Sequence, residues 1–302
     1  MPSLKAFAGV ARVPFLLLPV TLVAVGAAAA AYEGRFSWLH TVLALIGLVS
    51  LHVAVNVLNE WSDMRTGIDL ETVRTPFSGG SGTLPSGAIS SRATLLFGLA
   101  ATSVGLGIGV WFLNWVGTPL VPIVVLGAVG VLGYTDFLAR IGVGELAAGL
   151  GLGGLPVIGT ALVQDGVLGQ AAIAAAIAAG IPATLMTFNL LLLNEFPDEE
   201  ADRAGGRRNL VILLGRRSAA LVYAAAALLT PASIVAAVAL SVLPLVSLVA
   251  VLPSLLLVQP LRWAFGDVTR PVPIPALGGN VTWNLGTNSV LALSLVAAVL
   301  LW

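Results

Sequence analysis

Cysteine is absent from the 302 residues, which excludes disulfides and thiolate metal sites. Charge is scarce: Lys, Arg, Asp and Glu make up 9% of the chain and cancel to a net charge of zero. A neutral chain offers nucleic acid no basic surface. No polar stretch is long enough to build a soluble domain. What is there is hydrocarbon: 58% of residues are hydrophobic and the mean hydropathy is +1.02, the composition of a chain that lives in lipid. The amino terminus carries Lys5 and Arg12 before an apolar run, like a signal peptide. No small-residue cleavage site is followed by a soluble domain, so this run reads as a first membrane helix.

A helix needs about 20 apolar residues to cross a bilayer. Windows of that kind fall near 13–31, 38–59, 93–113, 118–135, 143–163, 170–194, 217–239, 241–263 and 281–302. The expected fold is therefore an all-α integral membrane bundle of about nine helices, a single domain over 1–302. Its central cavity is expected to open to the cytosol and laterally to lipid. Pro231, Pro244 and Pro253 make the division between the seventh and eighth spans the hardest to place. With nine spans, 13 of the 14 Lys and Arg share a side with the amino terminus, Arg35 being the exception. The positive-inside rule makes that side cytosolic.

The acids follow the same side, apart from Glu33 and Asp165, although the rule does not require it. Nine of the 14 Asp and Glu lie in or beside two windows. One reads Asn56-Val57-Leu58-Asn59-Glu60-Trp61-Ser62-Asp63, with Asp69 and Glu71 beyond; the other reads Asn194-Glu195-Phe196-Pro197-Asp198-Glu199-Glu200-Ala201-Asp202-Arg203. Asn59 and Asp63 are four apart, as are Asp198 and Asp202, so each pair shares a helix face. His52 and Asn56 extend the first stripe, and Asn194 extends the second. Polar groups within membrane helices normally turn to the bundle interior, so the two stripes are expected to oppose each other across the cavity. Opposed carboxylates repel unless a cation lies between them. Mg²⁺ prefers carboxylate and phosphate oxygens. Asn59 with Asp63 can hold one ion and Asp198 with Asp202 a second, with a diphosphate bridging both. Arg65, Arg74, Arg207 and Arg208 follow closely, and the guanidinium fork suits phosphate oxygens. Both stripes repeat at an offset of 139 residues, consistent with pseudo-halves near 1–140 and 141–302.

These motifs resemble the UbiA superfamily of intramembrane prenyltransferases. Asn59 to Asp63, then Gly67 and Asp69, resembles its first aspartate-rich motif. Asn194 to Arg208, running into Leu213-Leu214-Gly215, is similar to the second, in the wording of the branch that prenylates 1,4-dihydroxy-2-naphthoate in menaquinone synthesis. Thr75-Pro76-Phe77-Ser78-Gly79-Gly80-Ser81-Gly82 resembles the loop after the first motif. Tyr134-Thr135, Gly144-Glu145-Leu146 and Leu155 to Thr160 match the middle helices more weakly. The resemblance implies a Mg²⁺-dependent aromatic prenyltransferase, with catalytic Asp63, Asp198 and Asp202 and metal ligands Asn59, Asp63, Asp198 and Asp202. Asn56, Asp69, Tyr134 and Asn194 would line the substrate pocket. The partners implied are a polyprenyl diphosphate, an aromatic small-molecule acceptor and the lipid bilayer, with no nucleic acid and no obligate protein partner. Three departures stand out: Glu60 replaces the usual Asp, Asp136-Phe137-Leu138-Ala139-Arg140 replaces a proline-containing basic stretch, and Asn209 stands where Thr is common.

Other residues carry expectations of their own. Trp61, Tyr134 and Phe188 are candidates to steady an allylic cation. His52 and the Asn280, Asn284, Asn288 series read chiefly as interhelical hydrogen-bond partners. Gly127, Gly130, Gly133 and the glycines of 149–154 read as sites of close helix approach. The Ser78–Gly82 loop is expected to cap the site. The metal motifs alone do not separate a transferase from a terpene cyclase on the same scaffold. A transporter would want acids at the membrane midplane, and a CDP-alcohol phosphotransferase would want an acidic run that is absent.

Overall fold

A computed structural model describes residues 2–164 and 170–301, so Asp165 lies outside the described residues. All regular elements among them are helical. The membrane helices are α1 (Val13–Tyr32), α2 (Trp38–Thr66), α3 (Ser91–Val116), α4 (Thr118–Gly133), α5 (Gly144–Leu162), α6 (Ile173–Ala204), α7 (Arg216–Ala239), α8 (Leu245–Phe265) and α9 (Ile274–Leu301). Eight are long and apolar enough to cross a bilayer, and α4 is the shorter one. A further short helix, Leu4–Val10, precedes them. The break between α7 and α8 falls at Leu240–Pro244, where Ser241 takes φ 58. Pro231 stays inside α7, and Pro253 is absorbed by a 3-10 stretch over Leu245–Leu257.

Local chemistry sets the ends of the helices. Ser37 and Ser90 cap α2 and α3, each accepting from the third backbone N–H ahead. Gly67, at φ 84, terminates α2. At 29 residues, α2 is roughly 43 Å long, against about 30 Å of hydrocarbon. Its last turns therefore leave the apolar layer, and these turns carry Asn59 and Asp63. α6 behaves in the same way and brings Asp198 and Asp202 to the same level. At the other end of the bundle, Trp38, Trp111 and Trp115 are exposed, as expected of an interfacial aromatic belt.

α1 packs against α2, α5, α6 and α9, while α5–α6, α6–α7, α7–α8 and α8–α9 close the wall around it; α2 carries α3 on its outer side. Exposed Leu, Val and Ile side chains on the outside meet lipid. Glycine is used unevenly. A Cβ on Gly153 would sit 2.6 Å from the Ala183 carbonyl oxygen, so α5 and α6 meet almost backbone to backbone. The expectation of close approach fails at Gly127, Gly130, Gly133 and Gly151. A Cβ there meets no atom within 4 Å, because α4 is short and only loosely apposed to its neighbours, and space is left beside it.

Candidate active site: a charged mouth over an apolar cavity

The two acidic stripes meet. A cavity of about 210 Å³ lies between α2 and α6, and its lining includes Asn59, Asp63, Asp198, Asp202 and Arg207. Asn56, Asp69, Tyr134 and Asn194 line it too. Asn59 Nδ2 donates to Asp63 Oδ2 at 2.8 Å, which is the four-residue spacing at work. Arg207 spans the gap between the stripes: it donates to Asp63, to Asp202 at 3.0 Å and to Asn59 Oδ1 at 3.0 Å. Burial works against the guanidinium charge, yet the Asp63 and Asp202 carboxylates win and hold its pKa above the ordinary value.

The other predicted arginines sit elsewhere. Arg65 is exposed, pairs with Asp136 at 3.4 Å and lies 4.6 Å above the Trp61 ring. Arg74 donates to the Asp69 carbonyl at 2.6 Å and so braces the loop after α2. Arg208 is exposed, and its backbone N–H donates to the Ala139 carbonyl. None of the three lines the cavity. Of the aromatic candidates only Tyr134 lines it. Trp61 stacks on Arg65, and Phe188 packs into the core beside Gly149. Burial first, then the Glu195 carboxylate, pushes the Tyr134 phenol up, so it remains a hydrogen-bond donor.

Sequence reasoning missed Arg12. It lines the mouth, and its Nε donates to Glu60 at 2.9 Å. Glu60 is fully buried and also accepts from the Ser81 N–H at 2.6 Å and the Ser81 hydroxyl at 2.8 Å. This explains one departure from the family motif: one carboxylate joins the amino-terminal segment, α2 and the glycine loop. A lone Arg two residues before a proline gave no sign of this in the sequence. The glycine loop does cap the mouth. Ser78, Gly79 and Gly80 line the cavity, and the Gly79 N–H donates to Asp198 Oδ2 at 3.3 Å. Gly80 takes φ +71, and a Cβ there would lie 2.5 Å from Asp69 Oδ1, so only glycine fits. Asn209 explains another departure. Its Oδ1 caps the following helix while its Nδ2 holds Asp202 at 2.9 Å. In the third, Asp136 is turned outward, accepting from Ser62 at 2.6 Å.

Among the described residues, no three His, Asp or Glu side chains converge as a ready-made metal cage. Arg207 stands between Asp63 and Asp202 and balances their charge. The donor set nonetheless fits a hard cation: Asp198 Oδ1 and Asp69 Oδ2 are buried with no hydrogen-bond partner, and unpaired buried carboxylate oxygens call for a counter-charge. Burial, then the Glu60 and Asp63 charges, pushes Asp69 up to about 7, so this carboxyl titrates near neutrality.

Comparison with known proteins shows the family and the fold. The profile of the UbiA prenyltransferase family matches residues 17–276. A 1,4-dihydroxy-2-naphthoate octaprenyltransferase from Bacillus subtilis is 27% identical over 190 residues; the match covers 60% of this chain and 56% of the relative, little more than half its length. Two solved structures share the fold. One is a UbiA homologue from Aeropyrum pernix (TM-score 0.68, 18% identity, 95% of this chain and 98% of that one). The other is a UbiA homologue from Archaeoglobus fulgidus bound to GPP and Mg²⁺ (TM-score 0.68, 14% identity, 97% and 99%).

Proposed function

The chain belongs to the UbiA prenyltransferase family, and from that premise we propose that it transfers a polyprenyl group from an allylic diphosphate to an aromatic acceptor of the 1,4-dihydroxy-2-naphthoate type. The observation that carries this reading is the meeting of Asn59–Asp63 with Asp198–Asp202 across one cavity, bridged by Arg207. The Bacillus relative supports the acceptor class, and the GPP and Mg²⁺ of the Archaeoglobus protein support the donor class. The mouth is assigned to the cytosolic face, because 13 of 14 basic residues lie on that side.

Mg²⁺ would be held by Asn59, Asp63, Asp198 and Asp202, in two ions on this reading, and would neutralise charge developing on the leaving diphosphate. The chain's own groups do the rest. Arg207 exchanges its carboxylate partners for phosphate oxygens, and Arg12 lies at the same rim. The Gly79–Gly80 loop folds over the mouth and excludes water from the allylic cation formed as the C–O bond breaks with its electron pair on the diphosphate. Tyr134, at the junction below, presents its ring to that cation. The acceptor ring then supplies the electron pair of the new C–C bond, and the attacked ring carbon releases the group it carried, a proton or the carboxyl as CO2, leaving its bonding pair in the ring to restore aromaticity. The tail has a separate route. The main cavity shares Val55, Tyr134, Ala148 and Leu152 with a neighbouring side branch, and that branch shares Leu48, Leu51, Gly127 and Gly151 with a groove between α2, α3, α4 and α5. Apart from Tyr134 at its entrance, the branch is lined by hydrocarbon and glycine, which suits an isoprenoid chain.

The test is a transfer assay on the full chain in liposomes, with labelled geranyl or longer prenyl diphosphate, Mg²⁺ and either 1,4-dihydroxy-2-naphthoate or 4-hydroxybenzoate. Mg²⁺-dependent prenyl naphthoate is expected. A cyclised hydrocarbon as the sole product would replace this reading with a terpene cyclase.

A further inference from the structure

Beneath the charged mouth, the cavity keeps a second set of polar atoms that the diphosphate chemistry does not use. His52 on α2, Thr187 on α6 and Asn284 on α9 all line it. They are 5%, 3% and 1% exposed. Each holds a buried polar atom without a hydrogen-bond partner: His52 Nε2, Thr187 Oγ1 and Asn284 Nδ2. Depth follows from helix geometry. His52 precedes Asp63 by eleven residues on α2, and Thr187 precedes Asp198 by eleven on α6. Both therefore sit about 16 Å below the aspartates. α2 and α6 thus place His52 and Thr187 at one level, and Asn284 on α9 lines the same cavity beneath the charged mouth.

Unsatisfied buried polar atoms are rare in native proteins, and each calls for a reason. Interhelical bonding, the expectation from sequence, holds for Asn280, which accepts from Tyr223 Oη and donates to the Asn189 carbonyl. It does not hold for this polar floor of His52, Thr187 and Asn284. His52 Nδ1 contacts the Leu48 carbonyl of its own helix at 3.0 Å, and Asn284 Oδ1 accepts from Asn288 of its own helix at 2.9 Å. With Nδ1 donating to Leu48, Nε2 carries the lone pair and accepts. Asn284 Nδ2 can only donate, and the Thr187 hydroxyl can do either. A hydrocarbon tail laid here would leave all three unpaired, and the side branch already suits it. A ring bearing a hydroxyl beside a carboxylate satisfies all three.

We propose that His52, Thr187 and Asn284 form the recognition site for the oxygen substituents of the acceptor ring, holding it upright beneath the carbon that the diphosphate leaves. This rests on the transferase reading above and adds the side chains that select the acceptor.

The experiment measures binding, separately from turnover, on the full chain in detergent. The probes are 1-hydroxy-2-naphthoate, its analogue 2-naphthoate that lacks the hydroxyl, and geranyl diphosphate with Mg²⁺. Thr187→Val and Asn284→Leu are expected to weaken hydroxynaphthoate binding about tenfold each, and His52→Phe, which removes the acceptor for the ring hydroxyl, to lose the preference over 2-naphthoate, with geranyl diphosphate affinity kept within about twofold. Thr187→Ser, which keeps the hydroxyl, is expected to recover the lost affinity. Unchanged hydroxynaphthoate binding in both Thr187→Val and Asn284→Leu, an equal loss of geranyl diphosphate binding, or no hydroxynaphthoate binding by the parent chain would each overturn the proposal. Parent binding that follows this pattern without prenyl transfer would leave the floor standing and refute the transferase reading instead.

Discussion

The two ends of the bundle handle buried polarity in opposite ways. At the end away from the mouth, Gln164 closes a complete knot. Its Oε1 accepts from the Ser37 N–H at 2.9 Å and the Thr41 hydroxyl at 3.2 Å, its Nε2 donates to the Thr160 carbonyl at 3.0 Å, and His40 Nδ1 meets its carbonyl at 2.9 Å. At the mouth, Asp69 Oδ2, Asp198 Oδ1 and Arg207 Nε remain without partners, as do the three floor atoms below. A satisfied polar cluster fixes two elements to each other, whereas an unsatisfied one of similar burial is set up for something that is not part of the chain.

That contrast can be broken by substitution. The largest effect is expected at the mouth. Asp63→Ala or Asp198→Ala should lower kcat/KM by at least about a thousandfold, roughly 4 kcal/mol of barrier, and Asp198→Ala should leave the thermal unfolding midpoint in detergent close to that of the parent. Normal turnover in either variant contradicts the assignment of these carboxylates. Arg207→Ala removes the cation that Asp63 and Asp202 share, and should cost about 3 kcal/mol of stability in EDTA. Part of this loss should return on adding Mg²⁺. A midpoint indifferent to Mg²⁺ would mean that no ion takes the guanidinium's place.

The mirror experiment is Gln164→Ala, which should cost about 2 kcal/mol of stability and leave prenyl transfer intact; lost activity at full stability would erase the distinction between the two ends. The smallest effect is a pH dependence. Asp69 is held up to about 7 from 3.8, so its neutral form favours the folded metal-free chain. That stabilisation is complete below about 3.8 and is lost as pH rises through 7. Ionisation above 7 attracts the cation, so Mg²⁺ affinity should increase about tenfold between pH 6 and pH 8. Asp69→Asn should flatten the rise, measured by Mg²⁺ titration of activity at each pH.

Much of this could be read from the residues. Hydropathy located the spans because lipid demands long apolar helices, and the four-residue spacings of Asn59–Asp63 and Asp198–Asp202 announced a shared face. The arginines were harder to place. Arg65, Arg74 and Arg208 stand as near to the motifs in sequence as Arg207 does, yet of the four only Arg207 reaches the cavity: Arg65 pairs with Asp136, Arg74 braces the loop after α2 and Arg208 is exposed. Arg12 carried no local signal, since its partner Glu60 is 48 positions away. The glycines misled for a related reason: Gly153 and Gly127 look alike in a helix, and only the neighbouring helix decides whether a missing Cβ admits a backbone or leaves a channel.

The sequence by itself determined that this chain crosses a membrane many times and concentrates oxygen ligands at the ends of two helices, because those properties follow from periodicity and from the cost of burying charge. Tertiary structure alone decided which polar atoms find partners and which do not. Hydrogen-bond satisfaction depends on distances of a few ångströms between segments more than a hundred residues apart, and no local pattern encodes those distances.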